Sequence, residues 1–269
     1  MSELACLCRS VGMVLLLTIF SGVARAQTPP QPSDPVRDSE IVTDRPDVTE
    51  SSIVVPKGSL QLENGLTWTT DHGSQSFDGS QSLLRFGLFT RTEFRIVVPD
   101  YLGGITGTNA TGFGDLALGM KQQIGPLPGG IDLSVIVALS LPTGASRVSS
   151  HGYDPFIKFP WSKDLRTGWS IGGMQSLFWN TDGQRRNGDW EPTFYIEKAI
   201  TKPWDAFAEY AGDFSQRGGP SEIAHFGTAY RIAPRQQVDF HFGFGISRVA
   251  PTRFFAVGYS IRIDKLFGR

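Results

Sequence analysis

Val238-Asp239-Phe240-His241-Phe242-Gly243-Phe244-Gly245-Ile246 is the stretch whose reading decides the fold. Apolar side chains fill every second position, while Asp239, His241, Gly243 and Gly245 fill the positions between. Side chains of a β-strand alternate between its two faces, so one face here is wholly apolar and the other polar or small. A strand buried on both sides would be apolar throughout, and a helix would repeat at 3.6 residues instead of 2. Phe255-Ala256-Val257-Gly258-Tyr259-Ser260-Ile261-Arg262-Ile263 has the same pattern, as do Ile131-Asp132-Leu133-Ser134-Val135 and Glu93-Phe94-Arg95-Ile96.

Working outward, segments with this period are expected at 59–70, 80–89, 91–99, 113–123, 131–141, 153–162, 167–179, 189–199, 204–214, 221–232, 236–246 and 253–263. The reading is all-β: a single antiparallel up-and-down transmembrane barrel of about 12 strands, with apolar residues towards lipid and polar residues towards the lumen. The odd-numbered connections, such as 71–79, 100–112 and 142–152, are the longer ones. Long outer loops alternating with short periplasmic turns give that rhythm, and an even strand number returns the chain to the periplasm. Trp68, Trp161, Trp169, Trp179, Trp190 and Trp204 fall towards strand ends, where amphipathic rings favour the membrane interfaces. One strand resists facing assignment, because Gln175 shares a side with Ile171 and Leu177 while Met174 and Phe178 share the other.

The domain organisation expected is a signal peptide at 1–26, a periplasmic leader at 27–52 and an outer-membrane barrel at 53–269. Arg9, the apolar run Val11 to Phe20 and Ala24-Arg25-Ala26 carry the first of these. That run is shorter than the roughly 20 residues a membrane helix needs. Cys6 and Cys8 both precede the cleavage site, so no thiol chemistry is expected in the mature chain. A net charge of -1 offers no basic excess for nucleic acid.

The facing places Glu63, Arg85, Glu93, Arg95, Asp115, Lys121, Asp239, His241 and Arg262 on the lumen wall, with Asp154, Lys158, Glu191, Glu197, Glu209 and Arg231 beside them. Charged side chains in a pore set its selectivity, or pair across strands and hold the interior together. Asp44, Arg45, Asp47 and Glu50, just before the first strand, are candidates for a plug at the periplasmic mouth. Of the four histidines, His72 and His151 fall in outer loops, near Ser74, Ser149 and Ser150, while His225 and His241 face the lumen on adjacent strands. Chance proximity in loops accounts for the serine and histidine pairs, so no catalytic residue is assigned and no enzyme is expected. Neither a metal motif nor a cofactor motif is found, and Gly103 to Gly114 lacks the Gly-Lys-Ser/Thr ending of a phosphate loop.

Thr43-Asp44-Arg45-Pro46-Asp47 with Thr49-Glu50-Ser51, Gln61-Leu62-Glu63-Asn64-Gly65, Leu84-Arg85-Phe86-Gly87 with Glu93-Phe94-Arg95, Gly112-Phe113-Gly114-Asp115 and Leu141-Pro142-Thr143-Gly144 occur in that order. Together with Glu209-Tyr210, Gln237-Val238-Asp239 and Gly258-Tyr259-Ser260-Ile261-Arg262, they resemble the outer-membrane transporter-like family labelled "MetA-pathway of phenol degradation". The resemblance implies a barrel associated with uptake of aromatic or other hydrophobic compounds. The function expected is a channel-like protein of the cell outer membrane that passes small molecules. Its partners are outer-membrane lipid, the solute and the barrel-assembly machinery, and no oligomeric state follows from the sequence. The alternatives are a structural or loop-binding barrel with no open pore, and a lipid-hydrolysing barrel.

Overall fold

The computed structural model describes residues 40–106 and 111–266. The expected signal peptide and the first part of the leader, residues 27–39, lie outside the described residues. The strands are β1 (Leu60–Asp71), β2 (Ser74–Phe89), β3 (Thr92–Val97), β4 (Tyr101–Thr106), β5 (Gly112–Phe113), β6 (Leu116–Gln123), β7 (Ile131–Leu141), β8 (Asp154–Asp164), β9 (Trp169–Asp182), β10 (Arg185–Thr201), β11 (Trp204–Ser215), β12 (Ser221–Ala233), β13 (Gln236–Gly245) and β14 (Arg253–Ile263). Every pairing is antiparallel, and β1 pairs with both β2 and β14, which closes the sheet. β3 and β4 both pair with β2, so they are two halves of one stave; β5 and β6 continue each other likewise, giving a closed barrel of 12 staves. Closure removes the sheet edges, the only way a β structure can satisfy its backbone inside a bilayer.

The alternation in β13 holds residue by residue. Val238, Phe240, Phe242 and Phe244 are exposed on the outside, and Gln237, Asp239, His241 and Gly243 are buried inside. On β9 the ambiguous facing resolves, with Met174 and Ser176 inward and Gln175 outward. The polar Gln175 is tolerated there because Trp190 Nε1 donates to its Oε1 at 2.9 Å. Trp169 and Trp204 are exposed at the starts of β9 and β11, Trp68, Trp179 and Trp190 are exposed within β1, β9 and β10, and Trp161 is half-buried.

Three outer connections expected as loops are continued strands instead. β2 begins at Ser74, β4 occupies 101–106 and β9 and β10 run on to a short turn at 183–184. Alternation in those stretches is masked because both faces are solvated beyond the membrane, while the backbone ladder still pairs residue by residue. Short connections at the other end, such as 90–91, 202–203 and 234–235, mark it as the periplasmic end.

Candidate functional site in the lumen

Residues 40–58 do not pair into the sheet. They thread through the barrel interior, burying Ile41, Asp44, Thr49, Ser52, Val54 and Val55. Their partners lie on staves all round the circumference, from β1 and β2 through β8 to β11 and β13. The segment therefore crosses the lumen.

One side of that lumen is basic. Arg85 of β2 faces Arg95 of β3 in the ladder, and Glu93 faces Lys121 of β6. Arg85 Nε donates to Glu93 Oε1 at 2.9 Å and Nη1 to Glu63 Oε1 at 2.9 Å. The wall carboxylates Glu63 and Glu93 thus offset two of the four cations Arg85, Arg95, Lys121 and Lys158. Asp44 and Glu50 of the threading segment supply the other two charges. Asp44 Oδ2 accepts from Arg95 Nη1 at 2.6 Å, and Oδ1 accepts from Lys121 Nζ at 2.9 Å. Arg85 Nη1 lies 3.2 Å from Oδ1 of the same carboxylate. Glu50 takes Arg95 Nη2 at 2.5 Å and Lys158 Nζ at 2.7 Å. Burial by itself would raise the Asp44 carboxyl, but Arg85, Lys121 and Arg95 outweigh it and hold Asp44 far below the usual carboxylate range. Glu50 is lowered in the same way, burial being outweighed by Arg95 and Lys158.

The opposite side is acidic, lined by Glu191 and Glu197 of β10, Asp205 and Glu209 of β11 and Asp239 of β13. Here the segment offers donors. Val48 N and Thr49 N each donate to Glu209 at 2.8 Å, and Thr49 Oγ1 donates to Glu209 Oε1 at 2.6 Å. Asp47 goes against this logic: burial and the carboxylates of Glu209 and Glu197 push its carboxyl well above the ordinary value, so it tends to hold its proton.

Arg45 bridges the two ends of the sheet. Its Nη2 donates to Asp239 Oδ1 at 3.3 Å and its Nη1 to Gln81 Oε1 at 3.1 Å. The guanidinium lies across Gly65 of β1 and Gly258 of β14, which face each other in the closing ladder. A Cβ on Gly65 would stand 2.2 Å from Nη1, and one on Gly258 would stand 2.4 Å from Asp239 Oδ2 and 2.5 Å from Arg45 Nε. Only glycine leaves room for this seat. Behind it, His241 Nε2 lies 3.2 Å from Arg45 Nη2, His241 Nδ1 lies 2.6 Å from His225 Nε2, and His225 Nδ1 lies 2.8 Å from Glu209 Oε2.

Glu63, Arg85, Glu93, Arg95, Lys121, Asp239 and His241 are thus brought together around the segment that carries Asp44, Arg45 and Glu50. Of the lumen expectations, Asp115 needs correction, while Asp154 and Arg262 face inward but lie at the rims. Asp115 sits between β5 and β6 at the outer rim, where its carboxylate accepts from Gly144 N at 2.8 Å and Ser150 N at 3.0 Å and shapes the 142–153 loop. Its polarity serves loop geometry, which alternation cannot distinguish from lumen facing. Asp154 is likewise at the outer rim, taking Arg186 Nη1 at 2.7 Å. Arg262 is buried at the periplasmic rim, with Nη1 donating to the Glu40 carbonyl at 2.6 Å. Sequence reasoning missed Gln61, Gln81, Thr193 and the glycine pair. The readable signal was an excess of inward carboxylates on the late staves, where Glu191, Glu197, Glu209 and Asp239 outnumber Arg231 and Arg262.

The loop histidines show no shared chemistry with the nearby serines. His72 Nδ1 lies 2.6 Å from Asp71 and His151 Nε2 lies 3.0 Å from the Ser146 carbonyl, while Ser150 Oγ donates to Asp115. Among the described residues, no three His, Cys, Asp or Glu side chains are grouped to hold a metal ion.

No curated protein matches the sequence. In fold, the chain is similar to the COG4313 outer membrane channel from Pseudomonas putida F1, with a TM-score of 0.61 at 14% identity over 86% of this chain and 99% of that one. It is also similar to the NanC porin, with a TM-score of 0.55 at 10% identity over 76% of this chain and 100% of that one. A third similar structure is the KdgM porin in complex with disordered oligogalacturonate, with a TM-score of 0.53 at 8% identity over 76% and 98% of the two chains. The blocks that surround the lumen fall within the matched stretch, residues 43–263, and the chain belongs to the family described as MetA-pathway of phenol degradation.

Proposed function

We propose that the protein is a channel of the outer membrane that passes small molecules by diffusion, and that residues 40–58 form a plug across its lumen. The observation that carries this reading is the charge match between plug and wall: the wall cations left over by Glu63 and Glu93 are met by Asp44 and Glu50. A barrel filled only for stability would be expected to pack its interior with its own wall side chains. Here the filling comes from a separate stretch of chain, held by ion pairs and hydrogen bonds that water can replace when it leaves. The fold shared with channels and porins supports the same reading. Small aromatic solutes are the class proposed, on the family description and on the buried Phe207 and Phe254 beside the histidines.

Solute flux into liposomes tests the channel. Protein reconstituted in liposomes is expected to admit a small aromatic solute such as benzoate faster than protein-free liposomes do. Equal rates would favour the closed structural barrel.

A further inference from the structure

Arg45, His241, His225 and Glu209 form one line of hydrogen bonds from plug to wall. Its direction is fixed by its two ends. A guanidinium can only donate, so His241 Nε2 facing it must be the bare nitrogen. His241 then carries its proton on Nδ1 and donates to His225 Nε2, which leaves His225 to donate from Nδ1 to Glu209. Glu209 also accepts from Val48 N, Thr49 N and Thr49 Oγ1, so it is an acceptor on every side. Both imidazoles are neutral while the plug is seated.

A single added proton cannot be stored anywhere in the pair without reversing its far end. If His241 takes it, Nε2 gains an N–H. If His225 takes it, His225 Nε2 becomes the donor, His241 Nδ1 the acceptor, and His241 again carries its proton on Nε2. Either way an N–H points at the guanidinium, and a positive charge is added beside it. From this, and resting on the plug reading above, we infer that the His225–His241 pair is an acid-sensitive latch: protonation ejects Arg45 from its glycine seat and frees the plug.

The groups around the pair set the sign. Phe207 of β11 and Phe254 of β14 pack against the rings, so no other acceptor is offered on those sides. Asp239, next but one on β13, is engaged by Arg45, and Glu209 stabilises the Nδ1 proton of His225 in both states. The hydrogen-bond directions of the seated state leave no place for an added proton, so protonation of the pair weakens that state as the pH falls. Asp47 acts in the opposite direction, since its raised carboxyl favours the seated state while protonated and weakens it as the pH rises. Asp44 and Glu50, both lowered, weaken the seat only below the ordinary carboxylate range.

The test is single-channel recording of the Asp47→Asn protein, which lacks the opposing titration. Between about pH 6.5 and 4.5, open probability is expected to climb, by at most about tenfold per pH unit for one proton. His241→Gln, which can accept from Arg45 but gains no proton, is expected to abolish the climb, and His225→Gln serves if that variant does not fold. A flat profile, or a climb that persists in the folded Gln variant, overturns the latch. Deletion of residues 27–52 separates the two ideas. If the deleted protein conducts freely at all these pH values while the profile of the full chain is flat, the latch fails and the plug stands. If the deletion conducts no better than the full chain, the plug reading itself has failed.

Discussion

Asp44→Ala is expected to unseat the plug at neutral pH. The side chains of Arg85 and Lys121 are 0% exposed and that of Arg95 5%, so removing the carboxylate they share leaves the buried cluster one counter-charge short, with Lys121 losing its near partner. Breaking a buried ion pair by deleting one partner costs about 3–5 kcal/mol, because the remaining charge cannot be rehydrated in place. At roughly 1.4 kcal/mol per factor of ten, that converts to a hundredfold or greater loss of plug occupancy. The cations can recover hydration only if the plug withdraws and water enters the lumen, so the cost falls on the seated state. Single-channel recordings of the variant are expected to show long openings that are rare in the parent, with the barrel still migrating as a folded species before boiling. Gating unchanged from the parent would mean that Asp44 holds nothing in place.

Gly258→Val is expected to give nearly the same gating change without removing a charged side chain. The added Cβ would stand 2.5 Å from Arg45 Nε and 2.4 Å from Asp239 Oδ2, the ends of side chains rather than backbone. What gives way is therefore the Arg45–Asp239 pair, not the β13–β14–β1 ladder. Valine suits a strand better than glycine, so the wall itself gains. The loss is one charge-assisted pair and its hydrogen bonds, about 3 kcal/mol or roughly a hundredfold in occupancy. The urea midpoint of the barrel is expected to stay close to that of the parent while open probability rises. A barrel that unfolds more easily, with gating unchanged, would show that Gly258 serves the wall instead of the plug.

Most of the barrel was legible in the sequence because a membrane wall imposes a strict two-sided rule. Phe240, Phe242 and Phe244 alternate with Asp239, His241 and Gly243 since each face meets a different solvent. The rule lapses where both faces are wet. Thus 74–79 and 101–106 read as loops though the backbone pairs there, with one irregularity at Gln75 and Ser76. Asp115 fails for the same reason: above the bilayer an inward charge and a loop-capping charge look alike.

The site was only half legible. Alternation put Arg85, Glu93, Arg95 and Lys121 inside, and the charged run from Asp44 to Glu50 marked the plug candidate, but nothing local pairs residue 44 with residues 85, 95 and 121. Such contacts depend on barrel circumference and on how far the segment reaches, neither of which has a period. The glycine seat is hidden more deeply. Gly65 and Gly258 are 193 positions apart in sequence and become neighbours only when the first and last staves close.

Conductance of the protein lacking residues 27–52, recorded beside the full chain in a planar bilayer at neutral pH, tests the central claim most directly. If the segment fills the lumen, the truncated barrel conducts steadily and severalfold more than the full chain. Equal conductance in two folded proteins would contradict the account.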